Sequence, residues 1–197
     1  SLGTRDGTFA AEATVDLDLA WGELAVTTAP GTGWQVGMTG APGRRPDVEA
    51  SAAELRVASA EQRGWAGWHW DDCAGDDWRV TLPTGVRLDL ATEIAAGEGT
   101  LDLPGAVLGE LDLVVQAADL DVDLAAATAD EISLRVEAGS ADLVLPATGT
   151  VAVDVDVDAG AARVCAPAGM ALRVDGSSAL ASITTPGLVR VGDAWES

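Results

Sequence analysis

A period of 21 residues constrains this chain more than any other feature. Pro83, Pro104, Pro146 and Pro167 are spaced by 21, 42 and 21 residues, with Ala125 at the skipped position and Pro186 following after 19. The pairs Val80/Leu82, Leu101/Leu103, Val122/Leu124, Leu143/Leu145 and Val164/Ala166 keep the same spacing. So do Leu90, Leu111, Ile132, Val153 and Val174, and a small-residue set, Gly97, Ala118, Gly139, Gly160 and Ala181. Three columns in one register over five copies point to units that stack on one another.

Within each copy apolar and polar residues alternate, as in Ile132-Ser133-Leu134-Arg135-Val136 and Val153-Asp154-Val155-Asp156-Val157. Period two is a strand with one face buried and one wet. Each copy therefore reads as strand, proline corner, strand, small-residue corner. Proline fixes φ at one bend, and Gly or Ala admits a tight backbone at the other. Short strands that cannot bury a face alone specify a stack, so the expected fold is all-β, a single elongated β-solenoid over 1–197. Burying roughly four aliphatics per rung at ~1.5–3 kcal/mol each drives the stacking. Residues 79–191 carry the regular rungs. Residues 1–60 carry irregular ones, with strands around Val15–Leu19, Leu24–Val26, Val36–Met38 and Leu55–Val57. Residues 61–78 form a Trp- and Asp-rich inserted loop, and no segment sustains a helical period.

Composition narrows the partners. The formal charge is −21, and all 11 cations are Arg. Nucleic acid is disfavoured, because its affinity comes mainly from cations on phosphates, and so are anionic lipid head groups. An apolar content of 48% demands a packed core. No run approaches the 18 or more apolar residues of a membrane helix, and no basic-then-apolar leader is present. Beginning at Ser1 suggests a trimmed chain whose anchor or leader lies elsewhere. The absence of Lys, Asn and Tyr fits a GC-rich genome.

The inserted loop holds Trp65, Trp68, His69, Trp70 and Cys73, and ends at Trp78. One reading is an exposed aromatic loop for a protein partner or a sugar, since amphipathic rings favour interfaces. The other, which we favour from sequence, is a flap covering an open edge of the solenoid. A metal held by His69, Asp71, Asp72 and Cys73 is poorly supported, with one His, one thiol and no paired motif. The stacked carboxylates (Asp102 with Asp123, Asp121 with Asp142, Asp154 with Asp175) read as a solvated face with Arg163 beside Asp142. Weak Ca²⁺ binding there lacks the six to eight oxygens of a built site. One His and no Lys or Tyr leave no catalytic constellation. No catalytic, cofactor-binding or metal residue is therefore assigned, no cofactor is expected, and a polysaccharide-acting enzyme is the least favoured class. Cys73 and Cys165 make one candidate disulfide. Placing Cys165 four rungs, ~19 Å, from Thr81 leaves it within an eight-residue leash of ~26 Å.

The segment Asp16-Leu17-Asp18-Leu19-Ala20-Trp21-Gly22-Glu23-Leu24-Ala25-Val26 resembles a first rung of the bacterial toast-rack β-solenoid family. Pro46-Asp47-Val48-Glu49 with Glu54-Leu55-Arg56-Val57 is similar to the next segment. Trp78-Arg79-Val80-Thr81-Leu82-Pro83 and Gly99-Thr100-Leu101-Asp102-Leu103 resemble central rungs. These domains accompany membrane regions of the LiaF and phage-shock-protein-C type and are related to a family named "putative adhesin". The resemblance implies an extracytoplasmic domain held at the envelope by a segment outside this chain, working in envelope-stress sensing or surface interaction. The implied partner is an envelope protein or a second copy, with carbohydrate as the alternative, and no catalytic residue carries over. The Trp-rich insertion is not a feature of the family, and stopping at Ser197 suggests that final strands are missing.

Overall fold

A computed structural model describes residues 3–39, 46–59 and 75–167, and four further backbone strands over 173–178, 182–184, 189–191 and 194–196. The described residues form 17 strands and no helix. In chain order these are β1 (Gly3–Thr8), β2 (Glu12–Leu19), β3 (Gly22–Ala29), β4 (Gly33–Thr39), β5 (Asp47–Ala50), β6 (Glu54–Ala58), β7 (Asp76–Pro83), β8 (Arg87–Asp102) and β9 (Val107–Asp123). They continue with β10 (Thr128–Val136), β11 (Ser140–Val144), β12 (Ala152–Val157), β13 (Ala161–Cys165), β14 (Arg173–Ser178), β15 (Ser182–Thr184), β16 (Val189–Val191) and β17 (Ala194–Glu196).

The ladders run in two rows that share one core. One row is β1, β4, β7, β3, the second halves of β8 and β9, then β11, β13 and β15. The other is β5, β6, β2, the first halves of β8 and β9, then β10, β12, β14, β17 and β16. β8 and β9 pass from one row to the other, so each makes a whole rung. This is the β-solenoid that the alternation predicts.

The 21-residue register holds from β8 onward. Leu90 pairs with Leu111, Leu111 with Ile132, Ile132 with Val153 and Val153 with Val174. Leu101, Val122, Leu143 and Val164 stack likewise in the opposite row. Leu120, Ala141 and Ala162 follow one another at a single inward position.

Each corner follows from its residues. Leu103-Pro104-Gly105-Ala106 is a turn closed by the Ala106 N–H donating to the Leu103 carbonyl at 3.2 Å. Pro104 stands where φ is preset, and Gly105 has φ +75°, which proline-glycine turns of this kind require. Leu124 to Ala127 makes the same 2.9 Å closure with Ala125 in proline's place. At the opposite corner a Cβ on Gly97, Gly139 or Gly160 would strike the backbone of the rung beneath, so the column is small because the rungs touch there.

Stacking order departs from chain order at the N-terminal end. Val80 and Leu101, 21 residues apart, are not neighbours; Val26 of β3 lies between them and pairs with both. In the other row Val15 of β2 lies between Leu55 and Leu90. The rung β2–β3 is thus second in space, covered by β6–β7, and the chain then steps back over it through Thr84–Val86 to begin β8. Backbone bonds to Ala29, Gly31 and Ala11 hold that step in place. Arg79 adjoins Ala25 and Gly37.

Candidate interaction site at the root of the insertion

The insertion leaves the solenoid after β6 and returns at β7, at the small-residue corner of the covering rung. Trp65, Trp68, His69, Trp70, Asp71, Asp72 and Cys73 lie outside the described residues. Trp78 does not belong with them: it is 0% exposed, the largest fully buried side chain among the described residues, beside Leu24 and Met38 in the ladder. Strand alternation turns Trp78 inward with Val80 and Leu82, so it is core and not partner surface.

Both ends of the insertion are tied to one short stretch of β2–β3. The Ser59 N–H donates to the Asp18 carbonyl at 2.9 Å, and the Asp76 N–H to the Trp21 carbonyl at 3.0 Å. The Ala20 N–H donates to Ser59 Oγ at 3.1 Å. Ser59 Oγ–H in turn donates to Asp76 Oδ2 at 3.3 Å, directly across the two ends. Gly75 lies under the Trp21 indole; a Cβ there would sit 2.8 Å from Trp21 Cδ1 and 2.8 Å from the Gly22 Cα.

Two residues at this corner break the repeat. Asp76 pairs with Gly22, which pairs with Gly97, which pairs with Ala118. It therefore occupies the Gly/Ala column as a carboxylate only 9% exposed, and its Oδ1 is buried without a hydrogen-bond partner. Trp21 lies between the pairs Leu19–Ile94 and Gly22–Gly97, whose common offset of 75 sets it opposite Ala96, yet it carries an indole 59% exposed. Sequence reasoning quoted Trp21 only as part of a rung and missed Asp76. The period held the signal for Asp76: one step of 21 back from Gly97 is residue 76.

Of the candidate disulfide pair, Cys73 lies outside the described residues, and Cys165 is half-buried at the end of β13.

The outward faces are charged and wet. Asp102 pairs with Asp123, Asp121 with Asp142, Asp142 with Arg163 and Asp154 with Asp175. Arg87 bridges to Asp130 at 2.5 Å, Arg56 to Asp16 at 3.6 Å and Arg135 to both Glu137 and Asp158. The Glu110 carboxyl is pushed above its ordinary range by the charge of Asp112, then by slight desolvation and by Glu131 and Asp89. Among the described residues no group of three or more His, Cys, Asp or Glu converges as metal ligands would. No helix among them is long and apolar enough to cross a membrane.

A two-row β-solenoid with charged outer faces and one exposed aromatic corner defines a class of stacked β domain. Residues 5–146 match the family described as the N-terminal domain of toast_rack, DUF2154, and the chain belongs to that family. No curated protein matches the sequence. Among solved structures, a "putative cell adhesion protein" from Clostridium sporogenes superposes with TM-score 0.60 at 12% identity, over 98% of this chain and 86% of that one. It shares the fold. A "putative adhesin" from Bacteroides fragilis aligns over 92% of this chain and 95% of its own at 9% identity, with a TM-score of 0.38.

Proposed function

We propose that this chain is a non-enzymatic, extracytoplasmic interaction domain of a bacterial envelope protein, in which a rigid solenoid presents one aromatic corner to a protein partner. The observation that carries the reading is the exposed Trp21 at the root of the Trp-rich insertion, opposite Ala96. An exposed indole has no stacking role in the solenoid, whereas indoles anchor protein contacts well. The toast-rack family supports placement at the envelope, with the membrane anchor in a segment outside this chain, and supports a role in envelope-stress sensing. The charged faces keep the stack soluble and discourage edge pairing.

A photo-crosslinking side chain at position 21, with a control at Asp142, tests this in envelope fractions. We expect a discrete protein adduct from position 21 and none from position 142. Equal labelling from both, or hydrolysis of an envelope glycan by the domain, would sink the reading. The second reading is a carbohydrate-binding adhesin module, favoured by the same indole together with Trp65, Trp68 and Trp70 and by the name of the Clostridium structure. Glycan-array binding that disappears in Trp68→Ala and Trp70→Ala would favour it over the first.

A further inference from the structure

We infer that the solenoid opens in one direction, releasing rungs in turn from its carboxyl-terminal end while β2, β3, β6, β7 and β8 hold together around the Trp21 corner. The order of stacking carries the inference. From β9 onward the rungs stack in chain order, and each meets only the rung before and the rung after. β10 lies between β9 and β12, and β11 between β9 and β13. Losing a last rung breaks one ladder in each row and leaves everything before it in place, so this part opens stepwise.

The other end cannot open that way. β2 is paired with β6 on one side and β8 on the other, and β3 with β7 and β8. Both flanking rungs come later in the chain, so the early rung is clasped between two later ones. The chain runs from β3 past β7 to reach β4, and from β7 past β3 to begin β8. These two passages are bonded to each other: the Thr84 and Gly85 N–H groups donate to the Ala29 and Gly31 carbonyls at 3.0 and 2.8 Å. A Cβ on Gly85 would sit 2.6 Å from the Gly31 carbonyl oxygen, so the passages touch. The Thr28 hydroxyl donates to the Pro104 carbonyl at 2.6 Å and ties β3 to the corner beyond β8. Releasing β2–β3 therefore breaks ladders on both sides and both passages at once. The result is a stack that shortens from one end while the corner bearing Trp21 keeps its shape, whatever that corner binds.

Native-state hydrogen exchange on the full chain reads the direction. In the unaltered chain, protection should rise in steps from β12–β13 through β10–β11 and β9 to one slowest rate shared by β2 and β3. Val15 of β2 and Val155 of β12 are both 0% exposed and face inward in the same row, so Val→Ala removes the same two methyl groups at either end. Val15→Ala should speed exchange in β2, β3, β6 and β7 about tenfold, the ratio that two buried methyl groups support. Exchange in β12 and β13 should keep its original rate. Val155→Ala should speed β12 and β13 by the same factor, and β2 and β3 with them, because the clasped rungs open only after those beyond.

Equal acceleration of β12 and β2 in Val15→Ala would overturn the inference, since the chain would then open as one. Acceleration confined to β2 in that variant would do so too, leaving β6 and β7 outside the clasp. A Val155→Ala effect that stops short of β2 would reverse the order of opening. Faster exchange in β2 or β3 than in β12 of the unaltered chain would also refute it, with no variant needed.

Discussion

The covering end of the solenoid and its regular body solve the same burial problem with different side chains. From Leu88 to Val164 the hydrophobic core is built from Leu, Ile, Val and Ala, with Thr92 as a buried polar exception. The end contributes Phe9, Trp34, Met38 and Trp78, with Phe9 and Trp34 tilted at 34° and 6.2 Å between ring centroids. A rung inside the stack has an identical neighbour on each side, so aliphatics in register fill the space. An end rung has a neighbour on one side only. It closes the core with bulk and with antiparallel edges, β1 on β4 and β5 on β6. Closing with bulk leaves polar atoms behind: Trp34 Nε1, Trp78 Nε1 and Asp76 Oδ1 are buried without partners there, against Thr92 Oγ1 alone in the described regular rungs. Register satisfies a body; an end needs compromise.

The sharpest way to break this contrast is to put a charge inside the body. Leu111→Asp or Ile132→Asp places a carboxylate in a column that is 0% exposed, with the same aliphatics above and below. The expected loss exceeds about 4 kcal/mol, enough to unfold the domain in urea titrations. Asp112→Ser, one residue away and outward, should lie within about 0.5 kcal/mol of the unaltered chain. Equal midpoints for all three would refute the inward and outward assignment. At the end, Trp78→Ala should cost about 3–5 kcal/mol as a cavity, whereas Leu134→Ala in the body falls in a wider band of about 2–5 kcal/mol. A Trp78→Ala loss well below that of Leu134→Ala would show that the end rung is not part of the cooperative core.

The difference between the two regions is also what sequence could and could not reveal. Alternation and the 21-residue period identify the strands, the inward columns and both corners, because each depends only on a residue and its copy. Which rung lies beside which is not encoded that way. Leu24 and Val26 present the same alternation to Trp78 and Val80 on one side as to Gly99 and Leu101 on the other. Nothing in the pattern distinguishes chain-order stacking from an interleaved rung. The same gap hid Trp21, since its alignment with Ala96 is a spatial register of 75 residues, not a multiple of 21. Trp78 was misread for a different reason. Its neighbours in sequence are the insertion, but its phase along β7 belongs to the core.

Smaller changes sharpen the contrast within the body. Thr92 sits between Leu17 and Leu113 in the inward column, 2% exposed, with its hydroxyl unpartnered. Thr92→Val keeps the branched shape and removes the unmatched hydroxyl, so a gain of about 1 kcal/mol is expected in thermal melts. A loss instead would mean that the hydroxyl has a partner in solution, and that the body, too, relies on polar compromise.

The smallest effect lies on the outer face, where Glu110 is surrounded by Asp112, Glu131 and Asp89. Its carboxyl is held above the ordinary value of 4.5, mainly by the charge of Asp112. A raised pKa in the folded state means the folded chain holds this proton more tightly than the unfolded one. Folding is therefore favoured by protonation below the ordinary value and loses that advantage as pH rises through the raised one. At neutral pH the ionised Glu110 is a mild liability, screened further by salt. Glu110→Gln should raise the melting midpoint slightly at pH 7, with the gain shrinking as the pH falls through the Glu110 titration and again as salt is added. A gain that ignores both pH and salt would assign the benefit to packing or strand propensity. The columns of stacked carboxylates would then be neutral decoration on the body, with no electrostatic cost for its arginines to offset.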